Sequence, residues 1–194
     1  MTRLEILQSE VEALYAKKLK SRDAWSDWLY PNHVVVVASN AMKLAQSKGA
    51  NIELSQAAAL LHDIADYKMA RIDENHEKES LKTARLLMQE AKYSIEDIAT
   101  VVDDAIRYHS CHGDQRPLSK EGLVLATADS LAHLQTDFYI FATAELSKQG
   151  INFDEVKSWI LSKIERDFNN KIAFDDVREE VKPDYALIKE LFSR

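Results

Sequence analysis

The chain carries six histidines, His33, His62, His76, His109, His112 and His133, all between residues 33 and 133. Imidazole and carboxylate are common ligands of Mn, Fe, Co, Ni and Zn, and several must converge to hold one ion. The sharpest local feature is His62-Asp63, set in Ala57-Ala58-Ala59-Leu60-Leu61-His62-Asp63-Ile64-Ala65-Asp66. An apolar run leads directly into two ligating side chains. Burying such a pair in apolar surroundings is costly unless something compensates it, and a cation would. The plainer alternative is a core helix whose polar pair faces solvent, and the dipeptide alone allows both.

The order His33, then Leu60-Leu61-His62-Asp63, then Ala126-Thr127-Ala128-Asp129 resembles the HD superfamily of metal-dependent phosphohydrolases, whose pattern is H…HD…D. The resemblance covers residues 30–135 and implies an all-α HD-domain helical bundle. It implies that His33, His62, Asp63 and Asp129 bind a first divalent ion (Mn, Fe, Co or Ni, with Mg or Zn also allowed). Branches with two ions follow H…HD…H…H…D, and His76 and His109 occupy those added places. Ala105-Ile106-Arg107-Tyr108-His109-Ser110 looks like the AIRYHT stretch of bacterial diadenosine tetraphosphate hydrolases, which use two irons. On that analogy Asp63 bridges the ions, and His76 and His109 hold the second. The continuation Asp129-Ser130-Leu131-Ala132-His133 departs from the ADYIEP of those enzymes, so the dinucleotide substrate does not carry over.

The implied chemistry is in-line attack of metal-activated water on phosphorus, which needs charge stabilisers and a proton for the leaving oxygen. Asp63 acts through the metal. Asp66, one helical turn later, is the candidate general acid or base. Lys68, Arg107 and Arg116 are candidates for binding phosphate oxygens, and His112 is a candidate phosphate donor. His133, four residues after Asp129, can orient that carboxylate from behind. The expected function is hydrolysis of a nucleotide or related small phosphate ester or anhydride. The alternatives are a degenerate HD domain serving as a ligand sensor or interaction module, and a two-iron HD oxygenase.

Helices must position these groups. Apolar spacing predicts a helix over 3–20. Pro31 suits the start of a helix carrying His33 and ending at Lys48, with Gly49 as its stop. Ser55 is expected to cap a helix from Gln56 to Tyr67. Residues 68–75 read as a loop and His76–Ala91 as a helix. Ser94-Ile95-Glu96-Asp97 resembles a capping box opening a helix to His109. After a loop at 110–118, Ser119 starts the helix that carries Asp129 and His133. Residues 137–194 read as two or three amphipathic helices, broken near Gly150-Ile151-Asn152 and at Pro183. They form a C-terminal extension of one HD-type domain spanning 1–194, with the motif core at 30–135, and serve as scaffold, lid or oligomer surface.

The totals agree with this organisation. Only 4 Gly and 3 Pro in 194 residues disfavour the many tight corners of an all-β fold. A formal net charge of -7 argues against nucleic acid or an anionic membrane as partner, so an anionic substrate needs a local positive centre. Cys111 is the one cysteine, which excludes an intrachain disulfide and suits a reducing compartment. With no apolar signal core and no membrane-length apolar run, a cytoplasmic location is expected. A homodimer is compatible with the sequence.

Overall fold

A computed structural model describes residues 1–23 and 25–194. Among the described residues there are helices and turns and no strand. Helix α1 spans Arg3–Tyr15, α2 Ser26–Leu29, α3 Val35–Lys48, α4 Ile52–Leu61 and α5 His76–Glu90. Then come α6 (Ile95–Ile98), α7 (Lys120–Leu134), α8 (Phe138–Lys148), α9 (Phe153–Arg166) and α10 (Asp175–Ser193). The fold is the all-α bundle the sequence implies.

The centre is α3 packed against α4 and α7. Small residues make this close packing possible: Ala38, Ala41 and Ala45 on α3, Ala57, Ala58 and Ala59 on α4, and Ala126, Ala128 and Ala132 on α7 are all buried. Helix α7 is buried on nearly every side, as expected of a helix without a polar face. Helices α9 and α10 are different. Each buries one stripe, Val156, Ile160 and Ile164 on α9 and Val177, Val181 and Phe192 on α10. They pack on each other, and α10 also reaches α7.

Several expected boundaries hold. Gly49 closes α3 in the left-handed conformation, Ser119 caps α7, and Ser94 and Asp97 form the capping box of α6. Other expectations need correction, the first being the helix over 3–20, which ends at Tyr15. Asn51, not Ser55, caps α4: its side chain accepts from the Leu54 amide at 3.1 Å, while Ser55 is fully buried inside the helix. That helix stops at Leu61, and Ile64–Tyr67 is a separate 3₁₀ turn. Pro183 does not break the chain, because α10 runs through it. Pro183 lies on the exposed side of α10, where water can take up the backbone carbonyl it leaves unpaired.

Three π-helical stretches interrupt regular geometry among the described residues: Tyr30–Val34, Ala99–Ile106 and Asp167–Lys171. The first contains His33, the second precedes His109, and the third contains Asp167 and Lys171. Such bulges concentrate at functional sites, because one extra residue per turn re-aims the side chains that follow.

Candidate metal centre and the cationic residues beside it

His33 leaves the first π stretch, His62 follows the end of α4, and Asp129 lies in the middle of α7. Their ligating atoms all fall within 4.8 Å of one another, and all three residues are buried. His33 Nε2 is 3.1 Å from Asp129 Oδ1 and 3.3 Å from His62 Nε2. A local bond sets the His62 ring: its Nδ1 is 2.8 Å from the Ala59 carbonyl, so Nδ1 carries the proton and Nε2 presents a lone pair to the cluster. His109 repeats the device, with Nδ1 2.6 Å from the Ile106 carbonyl. Its ring meets that of His62 edge-on at 5.3 Å.

The electrostatics suit a cation. Burial pushes His33 and His62 down to about 4 and His109 down to about 3, so all three are neutral and can offer lone pairs at neutral pH. Burial alone would raise Asp129, but His133 and Lys171 outweigh it and hold this carboxylate well below the usual range. Asp129 Oδ1 is nonetheless buried with no hydrogen-bond partner. A buried carboxylate oxygen 3.1 Å from His33 Nε2 and 3.8 Å from His62 Nε2 makes up a metal-ligand donor set, so these residues fit a divalent ion.

The other residues named from the sequence distribute unevenly. Asp63 lies 3.6 Å from His62 Nε2 through Oδ2, and that same oxygen is paired with Arg71. Asp63, His76, His109 and His112 line one cavity of about 310 Å³ together with Asp129 and His133. Asp66 does not line it. Because α4 ends early, the 3₁₀ turn carries Asp66 inward, where Arg71 Nε at 3.1 Å and His76 Nε2 at 2.8 Å hold it. Burial pushes its carboxyl up to about 6, and His76 opposes that shift. His133 bridges, with Nε2 3.4 Å from Asp129 and Nδ1 3.0 Å from Asp167.

The three cations named from the sequence are engaged elsewhere. Lys68 pairs with Glu79 at 2.7 Å, Arg107 faces Asp103, and Arg116 donates to the carbonyls of Cys111, Gly113 and Gln115. None of them lines the cavity. Its cations are Arg71, Lys163, Arg166 and Lys171. Three of these four come from α9 and the π stretch after it. Lys171 is buried and bonded to Asp129, and Lys163 is buried 3.2 Å from Asp167. One signal was available in the sequence. Lys163, Asp167 and Lys171 recur every four residues, each just before a buried apolar residue, Ile164, Phe168 and Ile172.

The HD domain profile matches residues 30–134, more than half of the chain. The chain belongs to the HD family. No curated protein matches it. Among solved structures, a predicted HD superfamily hydrolase from an uncultured Thermotogales bacterium is similar, with a TM-score of 0.61 at 21% identity. The likeness covers 100% of this HD protein and 91% of that chain, and it shows a shared fold that includes the C-terminal helices. No helix among the described residues is long and apolar enough to cross a membrane.

Proposed function

We propose that this HD protein is a metal-dependent phosphohydrolase acting on a nucleotide or a related small phosphate ester or anhydride. One observation carries the reading: Asp129, which belongs to the buried His33–His62 cluster, lines the cavity beside the neutral imidazoles of His109 and His133, and Arg71, Lys163, Arg166 and Lys171 line it as well. Ligands for a cation facing groups for an anion are what a phosphoryl-transfer site requires.

His33, His62, Asp129 and Asp63 would hold the first divalent ion, and His76 and His109 are the candidates for a second. A bound ion would lower the pKa of coordinated water and neutralise phosphate charge. The remaining work belongs to the chain. Lysine and arginine side chains hold phosphate oxygens through charge-assisted hydrogen bonds, with His112 as an added donor. His133, fixed by Asp167, keeps the Asp129 carboxylate aimed at the cluster. With one ion bound, Asp66 serves proton transfer through His76, the member of that pair that lines the cavity; with a second ion on His76, Asp66 orients that ligand instead.

The test is a screen of nucleotides and small phosphate esters with Mn, Fe, Co, Ni, Mg and Zn, coupled to metal analysis of the purified chain. Metal-dependent release of phosphate or a nucleotide product is expected. A metal-loaded chain that releases neither and instead consumes oxygen would replace this reading with the oxygenase one.

A further inference from the structure

A second cavity of about 470 Å³ adjoins the first. The two share three lining residues, Arg71, Trp159 and Lys163, so they are compartments of one cleft. Their chemistry differs. The first is dominated by imidazole, carboxylate and cationic groups. The second is walled by Trp25, Ile72, Phe138, Leu146, Val156 and Trp159.

Resting on the phosphohydrolase reading, we propose that the second compartment binds the non-phosphate part of the same substrate, and that this part is a flat aromatic ring. Three observations support it. The shared residues stand at the junction: Arg71 pairs with Asp63 on the metal side, and its guanidinium is 5.9 Å from the Trp25 ring on the other. Phe138 joins the walls, because its ring packs 4.1 Å from His133, which touches Asp129, while Lys163 Nζ stands 5.4 Å from the same ring. A phosphate held among the cations would therefore lie beside the apolar compartment, within reach of a group attached to it.

The wall also argues for a ring over an aliphatic chain. Its accessible ring is the half-exposed indole of Trp159, backed by the buried Trp25 and Phe138, and an aromatic face gains from stacking beyond the area it buries. Trp25 is held rigid by a 3.0 Å bond from Nε1 to Asp23 and by stacking on Phe141. Gln149 and Glu155 also line the compartment and offer acceptors to N–H groups at a ring edge. Trp159 is 40% exposed and Ile72 is 83% exposed, so this wall is open to an incoming ligand.

The experiment is calorimetric titration of the full chain, with manganese present, by 2-naphthylphosphonate, hexylphosphonate and methylphosphonate. The naphthyl compound is expected to bind about tenfold tighter than methylphosphonate, from the apolar area it buries, with the hexyl compound between them. The naphthyl-to-methyl ratio should collapse in Trp159→Ala and shrink in Ile72→Ser, both at solvent-exposed positions where folding is retained. A ratio near one in wild type, hexylphosphonate matching the naphthyl compound, or an unchanged ratio in both variants would overturn the proposal. So would a Trp159→Ala chain that changes oligomeric state while keeping the ratio, since a second copy would then be the occupant. If no probe binds, the phosphate reading of the site falls as well. If methylphosphonate binds and the ring adds nothing, only the ring compartment falls.

Discussion

Residues 33–129 and residues 163–171 meet at one cavity and are built in opposite ways. The first region supplies short side chains on Ala-rich helices buried nearly all round, and local bonds such as His62 Nδ1 to the Ala59 carbonyl fix their rings. The second supplies long cationic side chains from an amphipathic helix and its π-helical end. Metal ligands must be placed to fractions of an ångström, and the candidate ligands His62 and Asp129 lie at the end of the buried α4 and inside the buried α7. Cations that receive an anion tolerate more play, and a flexible stem on a helix with one buried stripe is sufficient. The difference predicts that damage to the first region removes the ion, while damage to the second spares the ion and weakens the anion.

The largest effect is expected from Asp129→Ala. It removes a ligand and takes from the buried Lys171 its bonded carboxylate, leaving only Asp167 at 3.8 Å. Breaking a buried ion pair of this kind costs about 3–5 kcal/mol. Metal content and turnover should both vanish, and the unfolding temperature should drop. Asp63→Ala should also empty the site, with a milder loss of stability because Asp63 is partly exposed. A variant at either position that retains metal and turnover would move the ion elsewhere. Asp66→Asn comes next. Metal should remain, while turnover falls about 10²-fold, the lower end of what acid–base groups contribute. Unchanged turnover would reduce Asp66 to a structural anchor for Arg71.

How each region was readable follows from the same contrast. The ligand set has a spaced pattern because each ligand is confined to one rigid place, so His33, His62-Asp63 and Asp129 could be named before any geometry. Lys171 could not. Asp-Phe-Asn-Asn-Lys looks like polar surface, and only the π turn carries that lysine into the core beside Asp129. With 25 Lys and Arg in the chain, closeness to the motif selected Lys68, Arg107 and Arg116, which pair locally or with loop carbonyls. Asp66 was placed one turn from Asp63 on a continuous helix. The end of α4 at Leu61 and the 3₁₀ turn that follows carry it inward.

Arg166→Met separates the two regions cleanly, because Arg166 comes from the second and is not bonded to a ligand of the first. Its Nε is buried without a partner in the protein. Metal content should match wild type, and the affinity for phosphate-bearing ligands should fall about tenfold, the value of one charge-assisted hydrogen bond. Loss of metal in this variant would break the comparison, since the cationic wall would then be part of the metal site.

The smallest effect is a pH dependence that belongs to the second region alone. Burial pushes the Lys163 ammonium down to about 8, despite Asp167 beside it. The group is therefore protonated below that pH and loses its charge above it. Sulfate is a suitable probe because it remains a dianion throughout this range. Its affinity should be highest below pH 8 and decline by several-fold, within about tenfold, as pH rises through 8 and one cationic contact is lost. The groups that face Lys163 do not titrate with it. His133, at 3.2 Å, is pushed by burial down to about 3 and is already neutral. In Asp167, also at 3.2 Å, the Lys163 charge and a hydrogen bond with His133 override the effect of burial and hold the carboxyl below its usual range, so it stays ionised. Lys163→Met should bind sulfate more weakly, and its affinity should no longer bend near pH 8. If the bend persists in that variant, the titrating group lies elsewhere in the cavity, and the division between a fixed metal wall and a pH-sensitive cationic wall fails at Lys163.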